Sequence, residues 1–178
     1  MREIAKEYPA KKGADVFDRG LPLMENPRFA LNTAACDTRL LVVVHADDEA
    51  ELAKLTKRLT PVCWSDDIIG QFLYVATTDS ESLSEIEGAE KKTGVLVVEP
   101  GSYGLTGKVI AHLPAKSTAK QIRKALLANQ QDHPGYSKDS RRHVRQADRA
   151  NARWKSATGM QEEKPSRGGD RRRRGGGK

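Results

Sequence analysis

The run Leu40-Leu41-Val42-Val43-Val44 constrains this chain more than any other segment. Five consecutive aliphatic residues leave no polar face, in a helix or in a half-exposed strand. The segment therefore reads as a strand buried on both sides. A strand placed in that way needs packed layers on each face of its sheet. The residues that follow supply one of them. Asp47 and Asp48 mark a helix start, with Asp48 and Glu51 spaced as a capping box. Leu52, Leu55, Leu59 and Val62 then recur every three or four positions, which is one apolar stripe on a helix, and Pro61 is expected to end or kink it.

The same reasoning orders the neighbouring segments. Asn26-Pro27 opens a short helix through about Ala35, with Asn as cap and Pro in the first turn. Phe72 to Ala76 reads as a second buried strand. Ser82 and Glu85 predict a capped helix to about Lys92. Gly94 leads into a third strand, Val95 to Val98. A Gly-rich connection from Pro100 reaches a fourth strand, Lys108 to Leu113. That connection holds no helix, so the third and fourth strands are expected to form an antiparallel hairpin. Ser117 to Gln131, with Ile122, Leu126 and Leu127 at helical spacing, closes the set. The expected class is α/β: a four-stranded mixed sheet, right-handed crossovers and helices on both faces.

From Asn26 to Gln131 this element order resembles the thioredoxin-like fold superfamily, which implies a three-layer α/β/α domain. Leu40 to Leu59 and Val95 to Gln130 resemble it most. The resemblance also implies a place for redox chemistry: a CxxC pair where the first strand meets its helix, which falls here near Glu49 and Leu52. Disulfide exchange needs a thiolate held at the helix N-terminus and a second thiol to resolve it. A glutamate and a leucine do neither. The family's cis-proline would fall at Thr93 or Gly94, and its buried aspartate near Val43, and neither residue type is present there. The resemblance thus implies a redox-inactive member.

Charge divides the chain differently. The net charge of +7 over 178 residues is uneven. His133 to Lys178 carries 14 Lys or Arg against 5 Asp or Glu, a net +9, which leaves residues 1–132 at −2. The expected organisation is an N-terminal extension over 1–25, a domain over 26–132 and a basic tail over 133–178, partly helical and then disordered. Arg141, Arg145, Arg149 and Arg153 repeat at intervals of four, so a helix there carries one cationic stripe, with Trp154 near its end. Arg171, Arg172, Arg173 and Arg174, with the glycines around them, resemble an RGG-type segment suited to phosphate backbones and to stacking on bases. Those arginines are the expected contact with RNA or another polyanion.

Other candidates carry less. Asp47, Asp48, Glu49 and Glu51, beside His45, are accounted for by the preference of carboxylates for helix N-termini, about 0.3–1 kcal/mol each. His45, His112, His133 and His143 lack metal-ligand spacing, and no metal or cofactor is expected. Cys36 and Cys63 flank the first βα unit. Free buried thiols are expected in a reducing compartment, while a bridge stays open if the two Cα atoms lie within about 7 Å. Tyr103, in the Gly-rich connection, is expected to be displayed as a contact surface. Met1 to Gly13 has no apolar stretch and no segment approaches the roughly 20 apolar residues that span a bilayer, so no membrane partner and a cytoplasmic location are expected. The function so read is a binding or scaffold module with a polyanion-contacting tail. The alternatives are an enzyme of the superfamily that uses a single cysteine or a small-molecule site, and an interaction domain whose protein partner docks on the hairpin loop.

Overall fold

A computed structural model describes residues 20–90, 92–133, 135 and 137–152. The elements run β1 (Leu23–Met24), α1 (Pro27–Asp37), β2 (Leu40–His45), α2 (Glu49–Cys63), β3 (Phe72–Thr77), a 3-10 turn (Glu81–Leu83), β4 (Ile86–Glu87), β5 (Gly94–Pro100), a second 3-10 turn (Ser102–Gly104), β6 (Gly107–Leu113), α3 (Ala119–Gln131) and α4 (Ser140–Arg149). The chain is an α/β protein with a mixed sheet in the order β1-β3-β2-β5-β6-β4.

Burial of β2 on both faces organises everything else. All six of its residues are buried. Leu40, Val42 and Val44 pack with Leu52, Leu55 and Leu59 of α2 and with Ile122 and Leu126 of α3. Leu41 and Val43 point the other way and pack with Ala30, Leu31 and Ala34 of α1. Period-two alternation on a strand assigns these two sets to opposite faces, so α2 and α3 cover one face and α1 the other. Each of these leucine, valine and isoleucine side chains, fully buried, contributes roughly 1.5–3 kcal/mol.

The caps read from the sequence at Asn26 and Asp48 form. Asn26 accepts the Phe29 N–H, and Asp48 accepts the Glu51 N–H at 2.8 Å. Thr118 and Gln121 close a full capping box at the start of α3. β2 pairs with β3 in parallel, and β5 pairs antiparallel with both β2 and β6.

Two expectations are corrected. The sheet has six strands rather than four, because Leu23–Met24 adds a short edge beside β3 and Ile86–Glu87 adds one beside β6. The second correction explains β4. Among the described residues of 82–92 no α-helix forms; a 3-10 turn over Glu81–Leu83 is followed by a short strand, Ile86–Glu87. Leu83, Ile86 and Ala89 are all buried against the α1 side of the sheet. Their spacing of three suits consecutive tight turns, where residues three apart eclipse. Gly88 then turns the chain at a positive φ of 81°. Pro61 lies in the last turn of α2, which ends two residues later at Cys63. A proline so close to the end removes one bond from a turn that is about to finish.

β6 carries a bulge. Val97 pairs with Ala111 and Val98 with Val109, which leaves Ile110 as the extra residue, partly exposed on the strand.

Candidate functional site

The hairpin connection after β5 does not stand free. Gly104 has φ +62°, and a Cβ there would lie 2.4 Å from the Leu31 carbonyl, so only glycine allows this turn to seat on α1. Arg28 donates to the carbonyls of Gly104 and Leu105 at 2.9 and 2.7 Å, and Asn32 donates to the carbonyl of Tyr103 at 2.7 Å. Held this way, Tyr103 adopts a left-handed φ of 58°, a conformation worth about 1–2 kcal/mol of strain in a residue with a Cβ.

Tyr103 is not displayed to solvent. It is 8% exposed, because α4 lies over it. The ring centroids of Tyr103 and His143 are 4.4 Å apart and tilted by 43°, within the range of favourable aromatic pairs. The Tyr103 N–H donates to the Gln146 side-chain oxygen at 3.3 Å. The link into α4 is tied as well. Thr38, in the left-handed cap of α1, accepts the Ser137 N–H at 2.7 Å, and Lys138 pairs with Asp37 at 3.6 Å. Asp139 caps α4 by accepting the Arg142 N–H.

The docked helix has two faces. His143, Gln146 and Ala147 are half-buried, whereas Arg141, Arg142, Arg145 and Arg149 are exposed. At about 100° per residue, Arg141, Arg145 and Arg149 fall on the side opposite the seat, and successive stripe arginines are about 6 Å apart along the axis. Of the eight arginines read as a contact set, these three are therefore brought into one exposed line. Arg153 and Arg171 to Arg174 lie outside the described residues.

α4 has little else to keep it helical. It buries no residue fully. Like charges at i,i+4 oppose it by about 0.2–0.5 kcal/mol per pair, and Arg141 and Arg142 sit at the positive end of the helix dipole. Ten residues are too few to be helical alone in water. The seat on Tyr103 supplies the difference.

Burial sets the titration of the seat. It lowers the affinity of His143 for a proton, an effect partly offset by Asp37 and reinforced by Arg142. Burial also raises the Tyr103 hydroxyl. Among the described residues, Nδ1 of His143 is buried without a hydrogen-bond partner.

The positions aligned with a redox centre are accounted for individually. Glu49 is exposed in the first turn of α2 and accepts from the Thr78 hydroxyl at 3.2 Å. Leu52 is a core residue beneath that helix. The Thr93 carbonyl lies 2.9 Å from Nε2 of His112. Gly94 pairs with His45 across the β2–β5 joint, with φ +124° and a Cβ direction 2.1 Å from the Leu113 carbonyl. His45 is buried, with Nδ1 2.9 Å from the Lys92 carbonyl. This end of the sheet brings together backbone and core packing. Among the described residues no three His, Cys, Asp or Glu side chains form a group that could hold a metal ion. An open groove of about 580 Å³ beside β4 is lined by Glu85, Glu87, Glu99 and Lys108, a balance that repels anions.

Cys36 and Cys63 are both free. They are not the neighbours that a βα unit suggests, since α1 and α2 pack on opposite faces and the sheet lies between them. Burial raises both thiols, with Asp37 adding to the effect at Cys36. A thiol reagent is expected to titrate the half-buried Cys36 slowly in the native protein and Cys63 only after denaturation. Rapid native titration of two equivalents would contradict this placement.

Sequence reasoning found the arginine stripe but not the contact that holds it, because Tyr103 and His143 are 40 positions apart and neither marks the other. The local signal was available only on the helix itself. His143 and Gln146 are three apart, on the side the arginines leave open. No helix among the described residues is long and apolar enough to cross a membrane. No known family model, no curated protein and no solved structure matches this chain.

Proposed function

We propose that the chain is a binding module that contacts RNA through α4 and the arginine-rich residues beyond it, carried on a redox-inactive, thioredoxin-like α/β domain. One observation carries this reading: Arg141, Arg145 and Arg149 lie in one exposed line on the face of α4 opposite its seat. Side chains so arranged meet a phosphate backbone without moving the domain. Phosphate contact of this kind is largely independent of sequence. Arg171 to Arg174 extend the same charge, and arginines among glycines favour stacking on single-stranded bases over a fit to duplex grooves.

The three-layer, thioredoxin-like part of the reading is supported by the central order β3-β2-β5-β6, with one parallel and two antiparallel joints. A βαβ unit followed by a hairpin produces that order. The helices divided between the two faces support it too.

The test is fluorescence anisotropy of a labelled 20-nucleotide oligo(U) with the full chain at 50 mM salt. Arg141, Arg145, Arg149 and Arg171 to Arg174 are replaced together by glutamine, which keeps the helix and its seat. Binding by the natural chain and a loss of at least about a hundredfold in the variant is the expected result, because seven phosphate contacts dominate such an interaction. Equal affinities would end the proposal. Preference for heparin over oligo(U) at matched charge would move the partner to a different polyanion.

A further inference from the structure

We infer that Tyr103 is the positioning residue for polyanion contact: it seats α4 through His143 and Gln146, and only the seated helix presents Arg141, Arg145 and Arg149 as one strip. The inference rests on the polyanion reading above and adds its regulation. The seat and the strip are opposite faces of one ten-residue helix. Released from Tyr103, that helix retains the Asp139 cap but carries four arginines against one aspartate, with Arg141, Arg145 and Arg149 at repelling intervals of four. An anion along the strip removes the repulsion, so anion binding and seating must strengthen each other by the same factor.

The contact also gives the strip a pH dependence of unusual sign. The charged and titratable groups around it are Arg28, Asp37 and Cys36 from α1, Tyr103 from the 3-10 turn, Lys138 from the link, and Arg142 and Asp148 on the helix itself. Because burial disfavours the proton on His143, seating is complete above the ordinary imidazole value of 6.5 and weakens as the pH falls below it. Simple electrostatics predicts the reverse, since added positive charge tightens anion binding.

The experiment uses the full chain in two independent measurements. Hydrogen exchange of the α4 amides reports seating, and oligo(U) anisotropy reports binding. Tyr103→Gly accommodates the left-handed backbone and deletes the ring; Tyr103→Phe retains the ring. Tyr103→Gly is expected to speed α4 exchange and weaken oligo(U) binding about tenfold, within the usual range of coupling, while Tyr103→Phe stays near the natural chain. Between pH 7.5 and 5.5 the natural chain is expected to lose affinity and α4 protection together. His143→Phe, which keeps a ring and cannot titrate, is expected to lose neither. Faster exchange in Tyr103→Gly with unchanged oligo(U) affinity would overturn this inference and leave the polyanion reading standing. Unchanged α4 exchange in Tyr103→Gly would overturn it as well, as would affinity that rises on acidification. Absence of oligo(U) binding by the natural chain at any pH would remove the polyanion reading and this inference with it.

Discussion

The logarithm of the oligo(U) association constant is expected to fall linearly with the logarithm of salt concentration, with a slope near −5 for the natural chain. Each phosphate contact on a single strand contributes about −0.7, and the exposed stripe together with Arg171 to Arg174 supplies seven arginines. Between 50 and 200 mM salt that slope amounts to a loss of about a thousandfold. Replacing Arg141, Arg145 and Arg149 by alanine is expected to bring the slope to about −3, since three contacts are lost and four remain. The apparent affinities of the two proteins therefore converge as salt rises. Domain stability is expected to change little, because these side chains are exposed. A slope unchanged by the triple substitution would show that the helix takes no part and that the contact lies wholly in the residues beyond it.

Gly94→Ala is expected to destabilise the fold by about 4 kcal/mol or more, enough to unfold many domains. Two costs combine. The φ of +124° lies in a region that side-chain-bearing residues rarely occupy, and the added methyl would point at the Leu113 carbonyl from 2.1 Å, with backbone atoms of Pro114 and Ala115 at 2.9 Å. No flexible side chain is available to give way. Gly70→Ala is the control. Gly70 also has a positive φ, +72°, but nothing lies within 4 Å of the new methyl, so only the strain of about 1–2 kcal/mol remains. Urea unfolding of both variants separates the two costs. Equal destabilisation would mean that the close approach of β5 to the end of β6 is absent from the folded protein.

How far the sequence reaches differs from element to element. The five-residue aliphatic run in β2 was legible because only burial on both faces is compatible with it. The caps at Asn26 and Asp48 were legible because a side chain three residues from an orphan N–H is a local fact. The segment from Ser82 to about Lys92 was misread because its capping signal is also local, whereas Leu83, Ile86 and Ala89 take their conformation from the sheet face they bury against. The short strands at the two edges gave no warning for the same reason: a two-residue ladder is set by its neighbour, not by its own side chains.

The candidate site divides along the same line. Intervals of four along the chain sufficed to place Arg141, Arg145 and Arg149 on one helical face, since helical geometry is a property of consecutive residues. The charge asymmetry between residues 1–132 and 133–178 was likewise a matter of composition. Tertiary structure alone decided that this helix has a seat, that Tyr103 is covered rather than displayed, and that Cys36 and Cys63 lie on opposite sides of a sheet. Each of those outcomes depends on contacts between residues far apart in the chain. Such contacts form only when the burial of β2 has drawn α1, α2 and α3 into place around it, and local spacing carries no record of them.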